Sequence, residues 1–236
     1  NKKKFKLASL AAASLLLVKE PFSLQVIFCG IYLILLSFQE ENKRFFNLLM
    51  LLSFVLICIG LLWFYFVMYV VMPYFSGFDG IQVSAYSWLG NSLLDKLLTV
   101  IFRPDIWIID IFSNTDKVKL LVILFGSLAL IPLLNPAPLI VAIPPLLIML
   151  LSNEELYYSY AYHYTAGLIV PIIIAFKNGV PVAIKLWSDG LSFLKIKNKQ
   201  SNNNLPKLLI IFFLILGHSA FASSPISRLF WSDKVS

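Results

Sequence analysis

The chain has 236 residues, 59% hydrophobic and 13% charged, with a mean hydropathy of +0.85 and a formal net charge of +7. Soluble domains carry roughly twice that share of charge, so the composition excludes an ordinary soluble globular domain. The basic residues sit at the ends of apolar runs rather than in an aromatic-interleaved patch, so the charge describes membrane orientation and no nucleic-acid partner.

The first apolar run is Leu7–Val18, short for a span and closed by Lys19, Glu20 and Pro21. No small-residue cleavage site follows it, which argues against a signal peptide. The second is Phe22–Phe38, then a charged turn over Gln39–Arg44, then Phe45–Val71, long enough to span with tilt. Residues 72–117 are too polar to cross and read as an extracytoplasmic segment. A fourth span is expected at Val118–Leu134, broken by Asn135-Pro136-Ala137-Pro138. A fifth, Leu139–Leu151, is interrupted by Pro144-Pro145. A Tyr-rich loop, Ser152–Tyr164, leads to a sixth at Ala166–Phe176. Residues 177–207 read as a basic cytoplasmic loop, and Leu208–Phe221 as the seventh span. Cys29 and Cys58 both lie inside apolar runs and read as small apolar residues, with no disulfide or metal motif.

Placing the N-terminus in the cytoplasm and alternating puts twelve of the nineteen basic residues inside and nine of the twelve acidic residues outside. Lys117 and Lys119 run against that assignment. The expectation is an all-α, polytopic helical bundle of six to seven spans in the plasma (inner) membrane. The whole of 1–236 reads as one transmembrane domain lacking an N-terminal part. Proline-broken spans must be buried in protein or line a wet cavity, because lipid offers the backbone no hydrogen bonds.

Tyr86–Ile101 reads as one amphipathic helix on the outer face. Leu89, Leu93, Leu94, Leu97, Leu98 and Ile101 share a side, opposite Asn91, Asp95 and Lys96. It either packs on the bundle as a lid or lies flat in the interface. Arg103, just beyond, is a fixed bidentate anion binder; a salt bridge to Asp105 or Asp110, or contact with lipid headgroups, is the alternative. Tyr157, Tyr158, Tyr160, Tyr162 and Tyr164 fit an aromatic belt, which leaves His163 unexplained. His163 at the mouth of a bundle can donate to phosphate or shuttle a proton. His218 reads as structural. Lys19 and Glu20 either satisfy each other or face a cavity. No phosphate-cradling loop, Cys/His cluster or nucleophile elbow occurs.

The order of short motifs carries a resemblance. Leu15-Leu16-Leu17-Val18-Lys19-Glu20-Pro21 comes first and Val71-Met72-Pro73 closes the third span. Tyr86-Ser87-Trp88-Leu89-Gly90, Phe102-Arg103-Pro104, Leu133-Leu134-Asn135-Pro136, Ala142-Ile143-Pro144 and His163-Tyr164 follow, with Pro171 beyond. Over about residues 7–225 the series resembles the C-terminal half to two-thirds of a family of bacterial and archaeal predicted membrane proteins, domain of unknown function two-zero-seven-nine. That family is distantly similar to C-class glycosyltransferases, which take a sugar from a polyprenyl-phosphate donor on the outer face. The resemblance implies that the usual catalytic carboxylate lies upstream of this chain. It leaves the catalytic residue unknown and a divalent metal open, with no metal-binding residue assigned. The substrate-binding candidates are Arg103, His163, Tyr164, Lys19, Glu20 and Tyr86. Outer-side cations would stabilise the leaving phosphate, where Lys117 and Lys119 join Arg103 and His163. Asp79, Asp105, Glu154 and Glu155 are the local carboxylates able to take the acceptor's proton. The expected partners are membrane lipid, including a polyprenyl-phosphate sugar, and a protein supplying the missing N-terminal part. Rival readings are a non-enzymatic subunit of a larger membrane complex and, with less support, a transporter. No inverted repeat and almost no mid-span ionisable residue favour the transporter.

Overall fold

A computed structural model describes residues 10–11, 16, 22–76, 81–159, 165–193 and 205–221. Among these the secondary structure is entirely helical. Lys19, Glu20, Asp79, His163 and Tyr164 lie outside the described residues. The chain forms two compact units: residues 1–114 with 139–171, and residues 115–138 with 172–236.

The first unit is built on a hairpin of α1 (Phe22–Ser37) and α2 (Lys43–Phe66). Asn42 starts α2 by accepting from the backbone N–H groups of Arg44 and Phe45 at 3.0 and 3.3 Å, which satisfies donors that a helix start leaves open. Small residues seven apart on each helix let the backbones approach. A Cβ on Gly30 would stand 2.8 Å from the Ser53 carbonyl oxygen, and one on Gly60 would stand 2.9 Å from that of Ser23. The pairing is reciprocal and antiparallel, Ser23 against Gly60 and Gly30 against Ser53. Small-residue seams of this kind serve association in membranes, where lipid removes the hydrophobic drive between helices. Val26 and Leu56 form the adjoining core with Leu16, and Cys29 packs against it. Cys29 and Cys58 are both free thiols.

Beyond Phe66 the helix widens into a π turn, Val67–Val71, and resumes as α3 (Met72–Ser76). The Met72 N–H reaches the Val67 carbonyl, five residues back. Pro73 follows at once; its ring would clash with the carbonyl of residue 69 in a regular α-helix, and the extra residue relieves that clash. Lys43–Phe75 is long and apolar enough to cross a membrane, and only 22% of its most apolar stretch is buried. A soluble protein's core helix would be mostly buried, so length, composition and exposure together fit a membrane-crossing helix.

A 3₁₀ segment, Ile81–Leu89, precedes α4 (Leu93–Phe102) and α5 (Pro104–Ser113). The amphipathic helix expected from Tyr86 onward is therefore two pieces. Gly90 separates them with a φ of +150°, a conformation that only glycine adopts freely. Ser92 then opens α4 with a reciprocal cap: its hydroxyl accepts from Asp95 N–H, and the Asp95 carboxylate accepts from Ser92 N–H, both at 3.1 Å. A 3₁₀ stretch (Ala137–Ala142), in this unit from Leu139 on, leads into α7 (Ile143–Leu150), followed by a single turn, α8 (Glu155–Tyr158).

The second unit opens on α6 (Thr115–Leu121), which passes into a π turn, Val122–Gly126. The chain then reverses through two left-handed residues, Ala129 (φ 51°) and Leu130 (φ 58°), into a 3₁₀ turn, Ile131–Leu134. The span expected at Val118–Leu134 is thus interrupted within its own length. The break is buried against helices that carry no side chain at the point of contact: Gly179 of α9 (Ala166–Phe193) faces the Ile131 carbonyl, and Gly217 of α10 (Leu205–Phe221) faces that of Gly126. Irregular backbone survives at membrane depth only when covered in this way. Ile131, Ala183 and Ile210 form the core there, flanked by Phe176, Val180 and Leu214. The Trp187 and Phe213 rings stack with centroids 5.2 Å apart.

α9 outruns the Ala166–Phe176 expected from hydropathy. It continues through Lys177 and Lys185 to Phe193, with both lysines exposed, and Ala166–Gly190 qualifies as a second membrane-crossing helix. Long lysine stems can lie along apolar surface while the charge reaches water. Phe22–Ser37, Ala137–Leu150 and Leu205–Phe221 are apolar but shorter.

Candidate functional site

The most tightly joined polar region of the first unit is where the 3₁₀ segment clasps the end of α7. The last carbonyls of any helix lack partners within it. Here the Tyr86 hydroxyl donates to the Ile148 carbonyl at 2.8 Å, and Trp88 Nε1–H donates to that of Leu151 at 2.9 Å. In return Asn153 N–H donates to the Ala85 carbonyl at 2.9 Å. The ring of Tyr157 lies 6.5 Å from that of Tyr86, tilted by 58°. Ser152, fully buried between them in sequence, accepts from Glu154 N–H at 2.9 Å and so turns the chain into α8. Tyr86 is accordingly a clasp residue whose hydroxyl proton is spent on a helix end. Glu154 and Glu155 are exposed at the start of α8.

Arg103 lies at the bend between α4 and α5. Its Nε–H and Nη2–H donate to the two carboxylate oxygens of Asp105 at 3.1 and 3.0 Å, a two-point pairing of exposed groups. The hydrogen bonds from Arg103 hold the Asp105 carboxyl below its ordinary range, and Asp105 raises Arg103 in turn. The salt bridge to Asp105, rather than to Asp110, is present. Among the described residues the Arg103 Nη1 has no partner, since the pairing uses one edge of the guanidinium. Lys117 and Lys119 fall in the other unit, where Lys117 is buried and Lys119 partly so. Among the described residues no group of three or more His, Cys, Asp or Glu converges to hold a metal.

One polar residue went unread in the sequence. Gln25 is 4% exposed on α1, and its Nε2 donates to the Gly167 carbonyl at 2.6 Å. Its Oε1 is buried and without a hydrogen-bond partner among the described residues. Gly167 and Pro145 border it. A buried acceptor left open is costly, so it is a place where water or a ligand hydroxyl gains by donating. The signal was present: Gln25 is the only amide side chain within Phe22–Ser37.

The family model described as Predicted membrane protein (DUF2079) matches residues 1–229, and the chain belongs to that family. No curated protein and no solved structure matches the chain.

Proposed function

Taking membership of that membrane-protein family as the premise, we propose that the chain is part of a multi-pass plasma-membrane glycosyltransferase that handles a polyprenyl-phosphate-linked sugar at the extracytoplasmic face. The observation that carries this reading is Arg103: an exposed guanidinium on the segment following an exposed apolar span, with Asp105 fixing one edge and Nη1 open. A phosphate monoester or diester leaving with negative charge is the chemistry such a group stabilises. The open Oε1 of Gln25 adds an acceptor suited to a hydroxyl. The excess of basic residues in 1–6, 43–44 and 194–207 supports a cytoplasmic N-terminus.

His163, Tyr164, Lys19 and Glu20, which lie outside the described residues, belong to the proposal as phosphate- or sugar-binding candidates by residue type. The mutual satisfaction of Arg103 and Asp105 favours a second reading, a non-catalytic subunit that only positions lipid and a partner chain. Transfer of sugar from a lipid-linked donor, assayed with the full-length protein in membranes, separates the two. Arg103→Ala and His163→Ala are each expected to lower transfer by at least tenfold with expression unchanged. Unchanged transfer in both variants would remove these residues from the site.

A further inference from the structure

The helices α4 and α5 carry their polarity inside out for a pair in water. Leu94, Leu97, Ile101 and Phe102 form one stripe along α4, and Ile109 and Phe112 continue on α5; all six are between 54% and 71% exposed. Of the two charged residues on α4, Asp95 is exposed in the capped first turn, while Lys96 is only 8% exposed and burial pushes its ammonium pKa down. A surface helix in water would present these faces in reverse.

Neither arm can cross a bilayer. Each has ten residues, about 15 Å of helix against roughly 30 Å of hydrocarbon. The bend between them is fixed: Trp107 Nε1–H on α5 donates to the Val100 carbonyl on α4 at 3.0 Å. Exposed charge stands at the two ends of α4: Asp95 in its capped first turn, and at the bend the Arg103–Asp105 pair, which cancels itself. The chain arrives from Lys43–Phe75, where Leu51, Phe54 and Leu62 are likewise exposed, and both stretches belong to one compact unit. The four residues 77–80 bridge no more than roughly 18 Å between Ser76 and Ile81.

We propose that α4 and α5 form an in-plane anchor whose leucine and phenylalanine face is covered by lipid acyl chains at the membrane interface, with the Arg103–Asp105 pair at the level of the headgroups. The occupant is the bilayer because the face continues, in chain and in compact unit, from an exposed apolar span of a membrane protein. With Arg103 paired to Asp105 and Asp95 exposed, the polar edge carries no excess of positive charge, which suits insertion rather than attraction by anionic lipid. The proposal rests on the membrane membership and is independent of the glycosyltransferase reading.

The test uses the full chain in vesicles of phosphatidylethanolamine and phosphatidylglycerol. Cys29 and Cys58 are the two cysteines of the sequence; with both changed to alanine, nitroxide is attached at Leu97→Cys, Ile101→Cys, Phe112→Cys and Asp105→Cys in turn. The three apolar sites are expected to collide more with oxygen than with a water-soluble nickel chelate, and Asp105→Cys the reverse. Nickel access at all four sites would overturn the anchor. Spin–spin broadening between molecules would also overturn it, by assigning the face to a second copy. A benzophenone amino acid at position 97 or 112 of the unaltered chain asks the same question without removing a cysteine. Phospholipid adducts support the anchor, and protein–protein adducts or none at all refute it.

Discussion

Asp95 and Ser92 show how much structure a pair of side chains can set. The Ser92 hydroxyl, then its backbone N–H, lowers the Asp95 carboxyl from its ordinary 3.8. A depressed carboxyl contributes stability above its unfolded value that is lost as pH falls through the folded one. The cap should therefore hold at neutral pH and loosen below about pH 4. Ser92→Ala should cost about 1 kcal/mol, read as roughly fivefold faster hydrogen exchange in the first turn of α4 after correction for the intrinsic rate. The variant should also lose most of the pH dependence seen in the wild type. Tyr86 makes a second case. Tyr86→Phe orphans a helix-end carbonyl, which should cost about 1 kcal/mol, seen as a lower thermal midpoint in detergent. An unchanged midpoint would free the hydroxyl from its clasp role and return it to the list of chemical candidates. Arg103 was legible as an anion binder from residue type alone, but its partner was not chosen until Asp105 and Asp110 had positions. Gln25 was missed because a lone amide in an apolar run gives no spacing pattern to find.

At the scale of elements, hydropathy marked where apolar segments run but not where they break. The ends of α1 and the start of α10 fall within a few residues of expectation. Tyr86–Ile101 failed as one helix because the leucine spacing continues across Gly90, while the backbone there takes a conformation closed to other residues. Gly90-Asn91-Ser92 with Asp95 three residues on was a readable stop and start. Val118–Leu134 failed because a break buried against Gly179 and Gly217 keeps an apolar composition throughout. α9 was cut short because its exposed lysines look like a loop in one dimension. Glycines carry the packing prediction. Gly30→Ala and Gly179→Ala each drive a Cβ into a backbone carbonyl of a neighbouring element and should cost about 1–3 kcal/mol. Gly190→Ala meets nothing within 4 Å and should be neutral or stabilise by up to about 1 kcal/mol. Thermal unfolding in detergent ranks the three. Equal effects would contradict the close backbone contacts.

For the whole molecule, composition and the order of motifs already pointed to a membrane protein of this family, and the match over residues 1–229 establishes it. Among the described residues two helices are long and apolar enough to cross, and three shorter apolar helices fall below that length. The site was less legible than the fold class. It is assembled from residues far apart in sequence: Gln25 meets Gly167, and Tyr86 meets Ile148. The central claim is that this membrane chain holds a lipid-linked phosphate. A native mass spectrum of the gently extracted protein tests it most directly, because it weighs bound lipid and bound protein together. An adduct with the mass of a polyprenyl phosphate or its glycosylated form, lost in Arg103→Ala, is expected. A stoichiometric protein partner with no such lipid would contradict the claim and leave the chain a structural subunit.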